Sequence, residues 1–493
     1  MEEKGSAKRK KYRSMGINAF LNAVKSGLSI IFPLITYPYA FRILHAEGIG
    51  RVDYASSIIS YFTMIASLGI STYAVREGAK VRDNRKEFQR LSSQIFSINL
   101  FTTLFAYLLL GAFLLFVKSI DKYAVLLLIL GLSIGFTTLG IEWVNTIYED
   151  YLYITIRSIV THILTLALLF LMVKDEDDYY IYAFLMVLSN AIICITNWFY
   201  CRKYVSLKLT LQLNLRKHLG PIMTLFANSV ATNIYVNADT TMIGVYAGDY
   251  YVGIYSIAVK IYNVVKRMLV AMYSVAISRI SYFAGKNDKQ NIREIYTNLL
   301  SNLTVLLIPA SVGLIAVAKE IVLVMGGTEY VDAVLTLQIL SISLIGAIFG
   351  GAVTYCLNIP LGREKTNVIA TILSAVINIA LNVLLIPAFK QNGAALTTAI
   401  SEFFVFFYCM FSFKDFKDYI DLRKWGKNIA QAIVGGLTIL FISFLVRKAC
   451  FNSLITMGLI ITLSIVFYSM ELVLFKNDLA IKFLEKIRSK ITK

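Results

Sequence analysis

Of the 493 residues, 57% are hydrophobic and only 16% charged, too little polar surface to coat a water-soluble globule of this length. The net charge of +18 would suit a nucleic-acid binder if it were gathered on one face. Most Lys and Arg instead sit in short clusters on alternate connections between apolar runs, which is the charge pattern of cytoplasmic loops in a membrane protein, and nucleic acid is not an expected partner.

The apolar runs, about 20 to 30 residues each, are long enough to cross roughly 30 Å of hydrocarbon and predict about fourteen transmembrane helices. The first spans 16–44 after the basic "KRKKYR". It encloses Lys25, Pro33 and Pro38 and shows no small-residue cleavage site, so a retained helix is expected, not a signal peptide. The second (52–75) begins just after Arg51, and the basic "REGAKVRDNRKEFQR" leads to the third (91–117). Helices four to six follow at 122–147, 153–173 and 179–201. Glu142, Trp143, Glu149 and Asp150 close the fourth, and Arg157 opens the fifth. A pairing of Glu149 or Asp150 with Arg157 across that turn is expected, more as an ordinary solvated helix-end pair than as an inner gate.

The stretch "KYVSLKLTLQLNLRKHLG" alternates apolar and polar residues and suits a segment lying along the inner membrane interface. Helices seven to twelve are predicted at 219–247, 252–278, 294–318, 331–357, 366–387 and 394–412, with two more at 429–446 and 453–475 before a basic tail. An even count places both termini in the cytoplasm. The expected organisation is an all-α integral membrane protein with an N-lobe of six helices (1–203), a linker (204–218), a C-lobe of six helices (219–413), and helices thirteen and fourteen with the tail (414–493). A shift of 203 residues lays "GRVDYASSI" from Gly50 on "GIYSIAVKI" from Gly253. Repeats of six helices enter the membrane in the same sense, which implies pseudo-two-fold symmetry about the membrane normal and a central cleft.

The stretches "FPLITYPYAFRILHAEGIGRVDYASSIISYFTMIASLGISTYAVRE", "IEWVNTIYEDYLYITIRSI" and "VGIYSIAVKIYNVVKRM" resemble the Wzx-type oligosaccharide flippases of the multidrug/oligosaccharidyl-lipid/polysaccharide exporter superfamily, over nearly the whole chain. The resemblance implies alternating-access translocation of undecaprenyl-diphosphate-linked oligosaccharide repeat units from the inner to the outer leaflet of a bacterial cytoplasmic membrane. It also implies polysaccharide assembly proteins and membrane lipids as surroundings, and no cofactor. A single chain forms the cleft, so a monomer is expected. Capsule, O-antigen and teichoic-acid or lipid II type precursors all remain open as cargo.

An ionised side chain at mid-membrane costs at least about 2.5–3.5 kcal/mol, so each needs a cavity, a partner or the interface. Lys25 and Lys260, with Arg51, are expected to hold the substrate diphosphate. Arg42, Lys266 and Arg267 are expected to add charge to the same cleft, and snorkelling or pairing with carboxylates is the structural alternative. Tyr37, Tyr235, Tyr255 and Tyr262 are candidates to stack on sugar rings, or to anchor and pack.

No GxxxxGK[ST] phosphate loop occurs, and no cytoplasmic segment has the length of an ATPase domain, so an ion gradient or product removal must drive any concentrative cycle. Asp239, Asn378, Asn382 and Thr398 fall in one predicted layer below the outer helix ends. They form a hard oxygen set suited to Na⁺, and "SAVINIALNVLLIP" and "GAALTTAIS" resemble the sodium-binding helices of lipid II flippases. The alternatives are a proton carried by Asp239 and a purely structural polar layer. A cation-coupled drug exporter would share the fold, but cationic drugs require an acidic cleft. A membrane polymerase or glycosyltransferase needs sizeable external loops that the sequence does not provide. The five cysteines lack metal-ligand spacing, and His45, His162 and His218 lie far apart, with His45 beside Glu47 the one weak exception.

Overall fold

The computed structural model describes residues 15–449 and 452–491. The side chains of 15–26, 28–31, 228, 482–483, 486–488 and 490–491 lie outside that description, and Lys25 is among them. The described chain is mostly helical, with fourteen long helices. The helix Met15–Ser67 is broken at His45 into α1 (15–44) and α2 (46–67). Then come α3 (Arg85–Phe116), α4 (Ala124–Leu139), α5 (Tyr151–Met172), α6 (Tyr179–Cys201), α7 (Leu215–Tyr246), α8 (Asp249–Val270), α9 (Lys289–Ala316) and α10 (Ala333–Val353). Glu364–Phe411 is broken at Lys390 into α11 (364–389) and α12 (391–411), followed by α13 (Leu422–Lys448) and α14 (Ser453–Leu474).

Eleven helical stretches among the described residues are long and apolar enough to cross a membrane, and two of them, Phe32–Val81 and Glu364–Phe411, each contain one of these breaks. Their outward residues are apolar, with Leu108, Leu115 and Phe116 at 73%, 79% and 82% exposure, which only a hydrocarbon solvent makes favourable. The chain is a multi-pass membrane protein. Shorter helices at Ile70–Val81 and Tyr273–Gly285 continue α2 and α8, so those two elements reach further than predicted.

By packing, the chain forms two compact units, one of residues up to Tyr37 with Ile58–Val230, the other of Pro38–Ser57 with Ala231–Lys493. In the first, Ile70, Tyr73, Phe88, Trp143, Val144, Ile147, Cys201, Val205 and Ile222 make a buried cluster where short helices, linker and helix ends meet. The linker is extended over 205–210 and lies along α3. The N–H groups of Ser206, Lys208 and Thr210 donate to Gln89 Oε1, Ser93 Oγ and Ser97 Oγ at 3.0, 3.2 and 2.9 Å. Alternate N–H groups of the chain meet every fourth residue of the helix, while Val205, Leu207 and Leu213 pack into the buried cluster and Leu209 and Leu211 are 69% and 86% exposed.

In the second unit α10 packs against α8, α9 and the α11–α12 pair, while α13 runs along α9 and α14 lies on α13. The 203-residue repeat is visible in the backbone. His45 (φ 56, ψ 176) before α2 and Gly248 (φ 95, ψ 174) before α8 share one left-handed, extended break. Glycine adopts this freely. His45 does so at a cost, and Glu329 offsets it by accepting from the Ala46 N–H at 2.9 Å and from His45 Nδ1 at 2.6 Å.

Candidate functional site

The second unit holds two polar constructions inside its apolar helices. The first surrounds Asp239 on α7, whose side chain is buried. Asn382 Nδ2 on α11 donates to Asp239 Oδ1 at 2.6 Å, and Tyr255 OH on α8 donates to Oδ2 at 2.8 Å, joined there by the Thr398 hydroxyl of α12. Asn382 also donates to Asn378 Oδ1 at 3.1 Å and accepts from Thr397 Oγ1 at 2.6 Å. All four expected layer residues therefore meet, and Thr397 and Tyr255 join them. Asn378 and Asn382 share a face because they are four apart on one helix, and the break at Lys390 returns α12 alongside. The Tyr255 phenol is bound to Asp239 inside the helices, the packing alternative to sugar stacking. The hydrogen-bond partners of the Asp239 carboxylate are all neutral.

The second construction is the crossing of α2 and α8. A Cβ added at Gly50 would overlap the Asp249 carbonyl, and one at Gly253 would overlap the Ala46 carbonyl. These are equivalent positions of the repeat, so the two helices touch backbone to backbone. One turn further along, Ser256 Oγ donates to Asp53 Oδ2, residues again 203 apart. Lys260 Nζ binds the same oxygen at 2.6 Å and stands 5.2 Å from the Phe41 ring. Asp53 was missed in the sequence although it stands in "GRVDYASSI", the quoted repeat. The signal was available, since the offset lays Asp53 on Ser256, one helical turn before Lys260.

The other predicted cations are held differently. Arg51 pairs with Glu47 at 2.6 Å and lies 3.8 Å from Asp249. Arg42 donates to the Val324 and Leu323 carbonyls at 2.7 and 3.4 Å, in the last turn of the short helix Ala318–Gly326, where unpaired carbonyls attract a cation. Lys266 pairs with Glu402 of α12 at 2.7 Å. Arg267 is exposed, so the two adjacent basic residues point apart as helical geometry requires. Lys25 lies outside the described side chains. His45 meets Glu329 and not Glu47.

In the first unit the expected gate pairing is corrected. Arg157 donates to Glu142 Oε2 at 3.0 Å and to Asn197 Oδ1 at 2.6 Å, turning away from Glu149 and Asp150. Glu149, itself in a left-handed conformation (φ 56), faces Arg82 at 3.3 Å. Asp150, at the start of α5, accepts from Tyr200, Tyr204 and Lys203 at 2.7, 2.7 and 2.9 Å. Burial alone would raise its pKa, but these three donors together hold the carboxyl below its ordinary value. The buried cysteines Cys194, Cys201, Cys356 and Cys409 are free thiols, and among the described residues no three His, Cys, Asp or Glu converge as a metal cluster.

The sequence profile of the polysaccharide biosynthesis protein family matches residues 16–284, and that of lipid II flippase MurJ matches 156–468. A protein of Escherichia coli (strain K12) named as an O-antigen transporter is 24% identical over 402 residues, covering 79% of this chain and 94% of its own length. A Haloferax volcanii protein named as a low-salt glycan biosynthesis flippase is 29% identical over 178 residues, 35% of this chain and 37% of its own. Among solved structures, lipid II flippase MurJ in an inward closed conformation superposes with a TM-score of 0.74 at 16% identity, over 92% of this chain and 99% of that one. An inward-facing multidrug resistance MATE family transporter gives 0.55 at 14% identity, over 79% and 99%. The shared fold, the family match and the transporter relatives agree: the chain belongs to the polysaccharide biosynthesis protein family, and is a Wzx-type membrane transporter, not an enzyme, of the multidrug/oligosaccharidyl-lipid/polysaccharide exporter superfamily.

Proposed function

We propose that this transporter flips a lipid-linked oligosaccharide, with undecaprenyl diphosphate as the lipid carrier, from the inner to the outer leaflet of a bacterial cytoplasmic membrane by alternating access. Family membership supports the class of cargo. The observation that carries the phosphate is Lys260, an ammonium kept among apolar helices with the Asp53 carboxylate at 2.6 Å to offset its cost. Lys266, six residues further along α8, is a second ammonium on another face of the helix, paired with Glu402.

The same reading assigns coupling to Asp239. A buried carboxylate whose hydrogen-bond partners are all neutral favours uptake of a positive charge. The oxygens that would hold Na⁺ are the Asp239 carboxylate, the Thr398 hydroxyl and the Oδ1 atoms of Asn378 and Asn382, a donor set whose chemistry fits a hard cation. A proton on Asp239 would serve the same charge balance.

The test is translocation of an undecaprenyl-diphosphate oligosaccharide in proteoliposomes, with and without a Na⁺ gradient, for the native chain and Asp239→Asn. Transport that depends on sodium in the native chain and loses that dependence in the variant is the expected result. Sodium-independent transport that still fails in Asp239→Asn would transfer the role to the proton. Transport indifferent to both would make the layer structural, and no transport of the glycolipid would sink the cargo assignment.

A further inference from the structure

Lys260 does not wait with an open ammonium. Asp53 holds it at 2.6 Å, with the two side chains 17% and 18% exposed. Its cationic neighbour Arg51 is likewise engaged, by Glu47 and Asp249. A guest anion therefore cannot simply add to the crossing, because the place at the lysine is taken by an acid of the same chain. Stripping that acid away with nothing in return leaves an ammonium unpaired in apolar surroundings, which is strongly unfavourable. Exchanging it for another anion avoids that loss. A phosphate offers more negative charge and more acceptor oxygens than a carboxylate, whereas a neutral lipid offers neither.

Asp53 is also built into the helix contact. It accepts from Ser256 of α8 while sitting on α2, one turn from the glycine-tight contact of Gly50 with Asp249 and of Gly253 with Ala46. The acid that neutralises Lys260 is thus the acid that fastens α2 to α8, and no other described carboxylate does both.

We propose that Asp53 is the internal anion that a phosphate-bearing lipid displaces from Lys260, so that Asp53 sets the preference for phosphorylated over neutral lipid and its release loosens the α2–α8 crossing. The proposal rests on the reading of Lys260 as a phosphate ligand. If Asp53 occupies Lys260 about nine-tenths of the time, it lowers the apparent affinity for the incoming phosphate about tenfold.

The experiment measures binding of farnesyl diphosphate and of farnesol to the purified full-length protein in native form and as Asp53→Asn, Asp53→Glu and Lys260→Gln. Asp53→Asn is expected to bind the diphosphate about tenfold more tightly, Asp53→Glu to bind it as the native chain does, and farnesol to be indifferent to all three changes. In the native protein, the diphosphate but not farnesol should speed hydrogen exchange in residues 46–57 and 249–260, a readout that stands even if a variant fails to fold. Equal diphosphate affinity in native and Asp53→Asn protein, with binding lost in Lys260→Gln, would overturn the exchange and leave Lys260 as a ligand. Undiminished binding in Lys260→Gln would remove both. Exchange unaltered by the diphosphate would overturn the link to the helix crossing.

Discussion

Asp150 illustrates how a single residue changes meaning between sequence and structure. Its position before Arg157 suggested an ion pair across the turn, but the side chain starts α5 and faces the end of α6, where Tyr200, Lys203 and Tyr204 converge on one carboxylate oxygen. Sequence distance cannot show which neighbouring helix lies behind a turn. A carboxyl whose pKa is lowered on folding contributes stability above its unfolded value, and that contribution is lost as pH falls through the folded one. Asp150→Asn should therefore destabilise the protein by about 1–3 kcal/mol near neutral pH. The difference from the native chain should shrink as the pH drops below about 4. Thermal unfolding of both proteins in detergent across that range checks it, and a difference independent of pH would show that the charge at Asp150 contributes nothing. The Asp239 layer, by contrast, was legible from sequence, because polar residues four apart on an apolar helix must share a face. Asp53 was overlooked although the 203-residue offset points to it, because its contact with Lys260 joins two helices 207 positions apart.

At the scale of elements, apolar run length was enough to place the helices, most to within a few residues. Their joints were less readable. Between α1 and α2 a connecting loop was expected at 45–51, yet a single left-handed residue, His45, makes the turn and α2 begins at once. Composition shows where a chain is apolar, whereas a one-residue break depends on a capping group, here Glu329, that arrives from far along the sequence. The α2–α8 crossing yields a sharper expectation. Gly50→Ala and Gly253→Ala should each lower stability by about 1–3 kcal/mol, since overpacking forces two backbones apart. Gly285→Ala, where an added Cβ meets nothing within 4 Å, should be neutral. Heat-induced aggregation midpoints of the three variants decide it, and a tolerant Gly253→Ala would mean that the crossing is looser than described.

For the whole molecule, topology follows from the helix count and the placement of basic residues, both readable without a structure. With the termini cytoplasmic, as we propose from the placement of basic residues, the connection between α5 and α6 would lie outside and that between α8 and α9 inside. In a cysteine-free background, Asp177→Cys should react with a membrane-impermeant maleimide on intact cells, while Asn287→Cys should react only after lysis. The reverse pattern would invert the assigned direction of transport. What the sequence alone did not convey is how the chain divides, since residues 38–57 fall in one compact unit with Ala231–Lys493. Within that unit the glycines Gly50 and Gly253 and the acid Asp53 join α2 to α8, contacts that hydropathy does not reveal.

The linker on α3 works as a vernier. Two residues of extended chain advance roughly 6.6 Å and four residues of helix about 6.0 Å, so the two scales agree closely at first and slip by about 0.6 Å with every mark. Three marks fit, at Gln89, Ser93 and Ser97. At the fourth the accumulated slip would approach 2 Å, and there the helix offers Phe101 in place of an acceptor, while the Gln212 N–H turns back to the hydroxyl of Thr210. The mismatch of two pitches thus measures out how far the extended chain can run in register before it must turn, and beyond that point it stays on α3 through the Gln212 carbonyl, which accepts from Gln94 Nε2 at 2.9 Å. Inserting one residue between Val205 and Thr210 would throw every later mark off scale.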